Sequence, residues 1–204
     1  MTNRVAAAVL AAGRGERFGG DAPKPLAHLG GRSLVSYAIA AAHGSGLAPI
    51  VVAVADDEVA ALVPDDPDFV VARNPTPEAG ISSSMQTVLR ALEDHEDVDG
   101  VVIGLSDQPL VGPEAYRRVG AAYHDGARLA VATYGGVRGN PVLVARSHWP
   151  EALALAGDEG ARVLLRRHGA IEVPCDGAGD PTDVDTPEDL AALEARWRSQ
   201  TASE

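Results

Sequence analysis

Residues 5–20 read Val5-Ala6-Ala7-Ala8-Val9-Leu10-Ala11-Ala12-Gly13-Arg14-Gly15-Glu16-Arg17-Phe18-Gly19-Gly20, and Lys24 follows four residues later. The apolar run Val5 to Leu10 predicts a buried strand that opens the fold. Small residues and glycines after it let the backbone approach a ligand closely and aim successive N–H groups at it. Arg14, Arg17 and Lys24 add positive charge to the same concavity. A strand, a glycine-rich turn and three cations in this order point to a phosphate cradle. It is neither of two familiar ones: there is no G-x-x-x-x-G-K-[ST] run, and Gly13-Arg14-Gly15 lacks the third glycine of the dinucleotide fingerprint.

Working outward, apolar runs alternate with helical patterns. Val5–Leu10, Ile50–Val54, Phe69–Val71 and Val101–Leu105 read as short buried strands. Leu34–Ala42, Val59–Leu62 and Met85–Leu92 have helical spacing between them. Such alternation predicts crossover units and a parallel sheet. Pro113 suits the first position of a helix reaching Tyr123, and Leu129–Thr133 and Pro141–Val144 read as further strands. Gly135-Gly136 and Gly139-Asn140-Pro141 are turn signals. Two short helical patterns (Pro150–Ala156 and Gly160–Arg167), a strand at Ile171–Val173 and a helix capped at Thr186-Pro187-Glu188-Asp189 complete the pattern. One α/β domain over residues 1–198 is expected, with a frayed tail at 199–204.

The chain has 204 residues, enough for a substantial core, and an ordinary apolar content of 46%. Its 17 basic and 29 acidic residues leave a formal charge of −12. That balance opposes nonspecific binding to nucleic acid or an anionic membrane, and it makes the basic loop an exception. One cysteine, Cys175, excludes an intramolecular disulfide and multi-cysteine metal sites. No apolar run approaches the roughly 18–20 residues that span a bilayer, and no charged-then-apolar leader is read at the start. A cytoplasmic protein is expected.

Ligands of open α/β sheets bind beyond the carboxyl ends of the strands. The notable polar segments fall there: the glycine loop, Arg73-Asn74-Pro75, and Ser106-Asp107-Gln108-Pro109. A carboxylate at such a strand end is a natural Mg²⁺ ligand, while a turn aspartate bonding its own backbone is the competing reading of Asp107. Asp183 and Asp185 share a side if the segment is extended, so either could complete a metal site or simply complement the next helix. Gly80-Ile81-Ser82-Ser83-Ser84 starts a helix, where hydroxyls and free N–H groups bind phosphate, ribose or a base edge, or merely cap. Gly139-Asn140-Pro141 is a bare turn or a loop serving a second substrate. The six histidines are scattered, and no G-x-S-x-G elbow exists, so covalent catalysis is not expected.

Together these motifs resemble the molybdopterin nucleotidyltransferase family. The likeness runs from Leu10–Gly19 and Lys24-Pro25-Leu26 through Asn74-Pro75, Gly80–Ser84, Asp107-Gln108-Pro109, Gly139–Val142 and Gly157–Arg162 to Asp183–Leu190. Leu10-Ala11-Ala12-Gly13 and Asp107-Gln108-Pro109 are similar to the cytidylyl branch rather than the guanylyl one.

The resemblance implies a single-domain three-layer αβα fold with a Rossmann-like, mostly parallel sheet of the nucleotide-diphospho-sugar transferase type. It implies that Leu10, Ala11, Ala12, Gly13, Arg14, Gly15, Arg17, Lys24, Asn74, Ser82 and Ser83 bind CTP, or another NTP. Arg14, Lys24 and Asp107 would be catalytic, with Mg²⁺ held by Asp107 and Asp185. Asn140, Asp158 and Arg162 would lie toward a molybdopterin-type phosphate acceptor. The implied reaction is attack of the acceptor's terminal phosphate on the α-phosphorus of CTP, with pyrophosphate released and the product passed to a molybdenum hydroxylase. The competing expectations are a guanylyl or sugar-phosphate nucleotidyltransferase, a relative of nicotine blue oxidoreductase, and a non-catalytic cofactor-delivery module.

Overall fold

The structure, a computed structural model, describes residues 4–13, 15, 18, 19 and 23–201. Its centre is β1 (Arg4–Ala11), flanked by β4 (Ile50–Val54) and β6 (Val98–Leu105), with β5 (Phe69–Arg73) beyond β4; these four strands are parallel. Every residue of β4, and all of β1 but Arg4, is buried. Both faces of a central parallel strand are covered, which is why these segments read as unbroken apolar runs rather than alternating ones.

Two helical layers cover the sheet. Val5, Ala7, Val9 and Ala11 point toward α1 (Leu34–Gly44) and α4 (Pro113–His124), where Val35, Ile39, Tyr116 and Val119 fill the core. Ala6, Ala8 and Leu10 point the other way, toward α3 (Ile81–Ala91), α5 (Trp149–Ala152) and α6 (Arg162–His168). The period-2 alternation of a strand produces this division. Alanines at 6, 7 and 8 keep both layers close.

The second half of the sheet departs from uniform parallel pairing. Its order is β5-β4-β1-β6-β8-β7-β9, with β7 at Leu129–Tyr134, β8 at Val137–Ala145 and β9 at Ile171–Pro174. β8 runs antiparallel to both β6 and β7, whereas β7 and β9 pair in parallel. The two-residue loop Gly135-Gly136, with φ of 57° and 77°, explains the reversal, since such glycine pairs close hairpins. The sheet is therefore mixed, though mostly parallel. β8 begins four residues before the expected Pro141, because Val137-Arg138-Gly139-Asn140, exposed or half-buried and without an apolar run, already extends the strand, with Val137 and Arg138 paired to β7.

Smaller differences have local causes. A two-stranded hairpin, β2 (His28–Leu29) and β3 (Arg32–Ser33), follows Lys24, too short to show an apolar pattern. The helix expected over Val59–Leu62 is α2 (Asp57–Ala60), shifted toward the acids that favour a helix start. α5 stops at Ala152 rather than continuing to Ala156. The helix α7 (Pro187–Thr201) runs past residue 198. It packs on the β2–β3 hairpin through a third small core of Leu29, Leu34, Val184 and Leu193. Among the described residues no helix is long and apolar enough to cross a membrane.

Candidate active site

The carboxyl end of β1 leads into the glycine loop, where Gly15 packs against Lys24. Gly15 has φ of +62°, and a Cβ there would sit 2.4 Å from Cβ of Lys24. Only glycine satisfies both conditions, so the Lys24 stem can lie across the loop. Lys24 opens a short 3₁₀ turn between Pro23 and the hairpin. Arg14 and Arg17, expected as catalytic and nucleotide-binding cations, lie outside the described residues.

Lys24 joins two carboxylates from distant parts of the chain. Its Nζ donates to Asp107 Oδ2 at 2.9 Å and to Asp185 Oδ1 at 3.0 Å, and only 11% of its side chain is exposed. Burial opposes the ammonium charge, but Asp107 and Asp185 outweigh it and hold Lys24 above its ordinary value. Asp107 sits just after β6, where the Ser106 N–H donates to the Leu10 carbonyl. The Val184 N–H donates to the Asp107 carbonyl at 2.8 Å, which ties the C-terminal segment to the same spot.

Asp185 is held by the start of α7. The Asp189 carboxylate accepts from the N–H groups of Asp185 and Thr186 and from the Thr186 hydroxyl, while the Asp189 N–H donates back to Thr186 Oγ1. This reciprocal cap is the one read at Thr186-Pro187-Glu188-Asp189. Its hydrogen bonds from Thr186 hold the Asp189 carboxyl below the usual carboxylate range. Asp183 is shifted the other way, because burial first and the Asp107 charge second push its carboxyl up.

Two cavities meet at the end of β6. The first, about 590 Å³, is bordered by Leu10, Gly13, Gly15, Lys24, Asp107 and Asp185, with Glu78 and Asp158 on its other side. The second, about 490 Å³, is bordered by Gln108, Asn140 and Asp183, by the apolar Val131, Val142 and Leu165, and by Arg138, Arg162 and Arg166. Asp107 and Gln108, neighbours in sequence, thus border different cavities.

The other anticipated residues take varied places. Ala11 and Ala12 are buried. Asn74 is buried, donating from Nδ2 to Ser83 Oγ at 2.9 Å and Ser84 Oγ at 3.1 Å while its Oδ1 accepts from the Thr76 N–H. Ser83 Oγ donates to the Gly80 carbonyl, and the Ser82 N–H donates to the Gly157 carbonyl at 3.1 Å. Asn74 and the α3 serines therefore brace the wall of the first cavity, and the start of α3 is capped by the 157 loop. A Cβ on Gly80 would come within 2.5 Å of Gly157 backbone atoms, so that loop lies tightly over the helix start. This crossing carries Asp158 to the first cavity and leaves Arg162 at the second.

Gln108, Tyr134, Arg138 and Arg166 were not singled out as site residues by the sequence, and neither was Glu78. Arg166 is one helical turn beyond Arg162, the one signal that could have found it. Among the described residues no cluster of three His, Cys, Asp or Glu side chains is arranged to hold a metal ion. Asp107 does have an unused buried oxygen: Oδ1 has no hydrogen-bond partner among the described residues.

The MobA-like NTP transferase domain model matches residues 7–172, ending before Asp183 and Asp185. A 2-C-methyl-D-erythritol 4-phosphate cytidylyltransferase of Frankia casuarinae is 39% identical over 127 residues, covering 60% of this chain and 45% of that protein. The chain spans less than half the length of the curated relatives it matches. The crystal structure of Rv0371c from Mycobacterium tuberculosis superposes with a TM-score of 0.80 at 28% identity, over 96% of this chain and 99% of that one. Rv0371c in complex with manganese superposes with a TM-score of 0.77 at 26% identity, over 96% and 100%. The fold is that of the nucleotide-diphospho-sugar transferases. With four fifths of its length matched by one model and its polar loops gathered at one sheet edge, the chain belongs to the MobA-like NTP transferase domain family.

Proposed function

We propose that the protein is a Mg²⁺-dependent nucleotidyltransferase that moves CMP from CTP to the terminal phosphate of a molybdopterin-type acceptor and releases pyrophosphate. The observation that carries this reading is the boundary at the end of β6. Asp107, with Lys24 and Asp185, faces one cavity, while Gln108 and Asp183 face the next. Two substrates placed on either side of that boundary meet beside a cation held between carboxylates.

In the transfer, an acceptor phosphate oxygen bonds to the α-phosphorus as the bond to the β-phosphate oxygen breaks, and the electron pair leaves with pyrophosphate. No protein nucleophile is required. The chain's task is to align attacking and leaving oxygens and to neutralise charge. Lys24 keeps its ammonium at neutral pH and serves the phosphates, with Arg14 and Arg17 of the glycine loop in the same role. Asp107 and Asp185 would hold the divalent cation. The unpartnered Asp107 Oδ1 fits a hard ion, and one or two carboxylates plus substrate oxygens are the usual Mg²⁺ set. When bound, the ion supplies charge neutralisation on the phosphates. The manganese complex of Rv0371c supports a divalent cation here.

CTP is favoured by the cytidylyltransferase among the relatives and by the Leu10-Ala11-Ala12-Gly13 run. The pterin acceptor rests on the likeness of the motifs, with Asn140 and Arg162 at the second cavity. Arginines around that cavity, in a chain of net charge −12, suit an anionic acceptor. A molybdenum hydroxylase in the cytoplasm would take the product. The same relative also favours a second reading, a polyol or sugar phosphate as acceptor. The test is pyrophosphate release with Mg²⁺ and CTP, GTP, ATP or UTP, given molybdopterin or 2-C-methyl-D-erythritol 4-phosphate. Release with CTP and molybdopterin alone is expected. Release only with the polyol phosphate supports the second reading, and silence in all eight mixtures refutes nucleotidyl transfer to either acceptor.

A further inference from the structure

Gln108 is 5% exposed, and its two amide atoms have unequal fates. Nε2 donates to the Pro181 carbonyl at 3.0 Å. That carbonyl can only accept, so the bond fixes which end of the amide is nitrogen. Oε1 is then an acceptor, buried and without a partner among the described residues, on a side chain whose residue borders the second cavity. Buried polar atoms are nearly always hydrogen-bonded, and each native exception calls for an explanation, of which a bound partner is one. The transfer chemistry leaves this atom unused.

The rest of the cavity defines what could supply the missing donor. Val131, Val142 and Leu165 give it apolar walls, whereas Arg162 and Arg166 bring positive charge from successive turns of α6. Its volume of about 490 Å³ suits a ring system of drug-like size. A phosphate alone would leave both the walls and the Gln108 oxygen unsatisfied.

We propose that Gln108 is a specificity-determining residue: its Oε1 accepts a hydrogen bond from an N–H or O–H on a flat, anionic acceptor seated in the second cavity. The inference rests on the nucleotidyl-transfer reading for the identity of the cavity as the acceptor site, but the recognition itself is a binding property. A ligand without the donor leaves that buried oxygen without a partner. Sites built around such a hydrogen bond reject analogues lacking it far more strongly than apolar pockets reject a missing methylene.

The experiment compares two probes that share a phosphate and a bicyclic ring, pterin-6-ylmethyl phosphate (ring N–H donors) and 2-naphthylmethyl phosphate (none). Calorimetric binding to the full chain with Mg²⁺ and a non-hydrolysable CTP analogue is measured alongside pyrophosphate release with CTP. The wild-type protein should bind the pterin probe at least about tenfold more tightly. Gln108→Met, which keeps the side chain's length, should erase that preference while the naphthyl probe and the CTP analogue bind as before. Gln108→Leu repeats the test should the first variant fold poorly.

Equal affinity of the wild type for both probes, binding of neither, or an equal loss of both in the variants would overturn the proposal. The last result would mean that Gln108 only anchors Pro181. A Gln108-dependent preference without any pyrophosphate release would instead refute nucleotidyl transfer to this probe and leave the recognition standing.

Discussion

The two halves of the sheet were built by different rules. From β5 to β6 the strands are parallel, with β4, β1 and β6 buried and β5 a half-exposed edge, and residues just beyond the carboxyl ends of β1 and β6 border the first cavity. From β8 to β9 the chain folds back on itself, one strand runs antiparallel, and the second cavity is assembled from β7, β8, α6 and the 181–183 segment. Beside the first half, the strand-end Asp107 meets Lys24 from a short turn and Asp185 from the segment before α7. The second half makes a smaller, more apolar hollow, about 490 Å³ against about 590 Å³. A family that varies its acceptor while keeping its nucleotide chemistry would benefit from that division.

If the division holds, substitutions should separate by half. Asp107→Ala strikes the first half at its centre and should lower turnover about a thousandfold with either acceptor, with circular dichroism unchanged. A rate within tenfold of wild type would dissolve the site. Lys24→Ala should cost about a hundredfold, and it leaves Asp107 and Asp185 facing each other without their shared cation. Raised NaCl or Mg²⁺ should recover part of the fold stability in that variant but little of the rate, which single-turnover measurements would separate.

Arg166→Ala tests the second half. The Michaelis constant for an anionic acceptor should rise about tenfold with that for the nucleotide unchanged; a matching rise in both would mean the two cavities act as one.

Asp183→Asn, on the boundary, should have the smallest effect. Burial and the Asp107 charge raise the folded-state pKa of Asp183 above its ordinary value of 3.8, so its ionised form weakens the folded state at neutral pH. The penalty is present above the folded pKa and vanishes as the pH falls below the unfolded one. The variant should therefore melt roughly 1–3 °C higher at pH 7, and the gain should shrink toward pH 4. A lower melting temperature at pH 7 would mean that the Asp183 carboxylate holds the wall together.

The same contrast decided what could be read from the residues. Ile50–Val54 is a strand with the bounds its apolar run defines, because a strand buried on both faces has no polar positions to blur it. Asp107, Lys24 and Asp185 all belonged to motifs at strand or helix ends, and three-dimensional proximity followed from the parallel topology. β8 was harder. Its first four residues are exposed or half-buried, so its pairing begins before its apolar pattern does. Gly135-Gly136 held the information about the reversal, since a two-glycine loop between strands closes a hairpin. Gln108 stood out within Asp107-Gln108-Pro109, but its role could not have been read, because the fact that distinguishes it (one amide atom bonded, the other not) depends on Pro181, a residue seventy-three positions away. Asn74 and Ser83 were legible as polar and near the site, but which polar residues face a ligand and which face each other is a matter of packing.

Gly30 lies against the indole of Trp197, where an added Cβ would come within 2.5 Å of the ring, and Leu193 closes the same small core from α7. A ribosome delivers Lys24 and the hairpin long before it delivers α7. Until that helix seats on the hairpin, the bonds from the Asp185 and Thr186 N–H groups to Asp189 are not made, and the Asp185 carboxylate is less firmly set beside Lys24. The second carboxylate proposed for the cation therefore comes into place only after β9 has been made, so a fragment ending before Leu193 should keep Lys24 and Asp107 but lose the seat of Asp185.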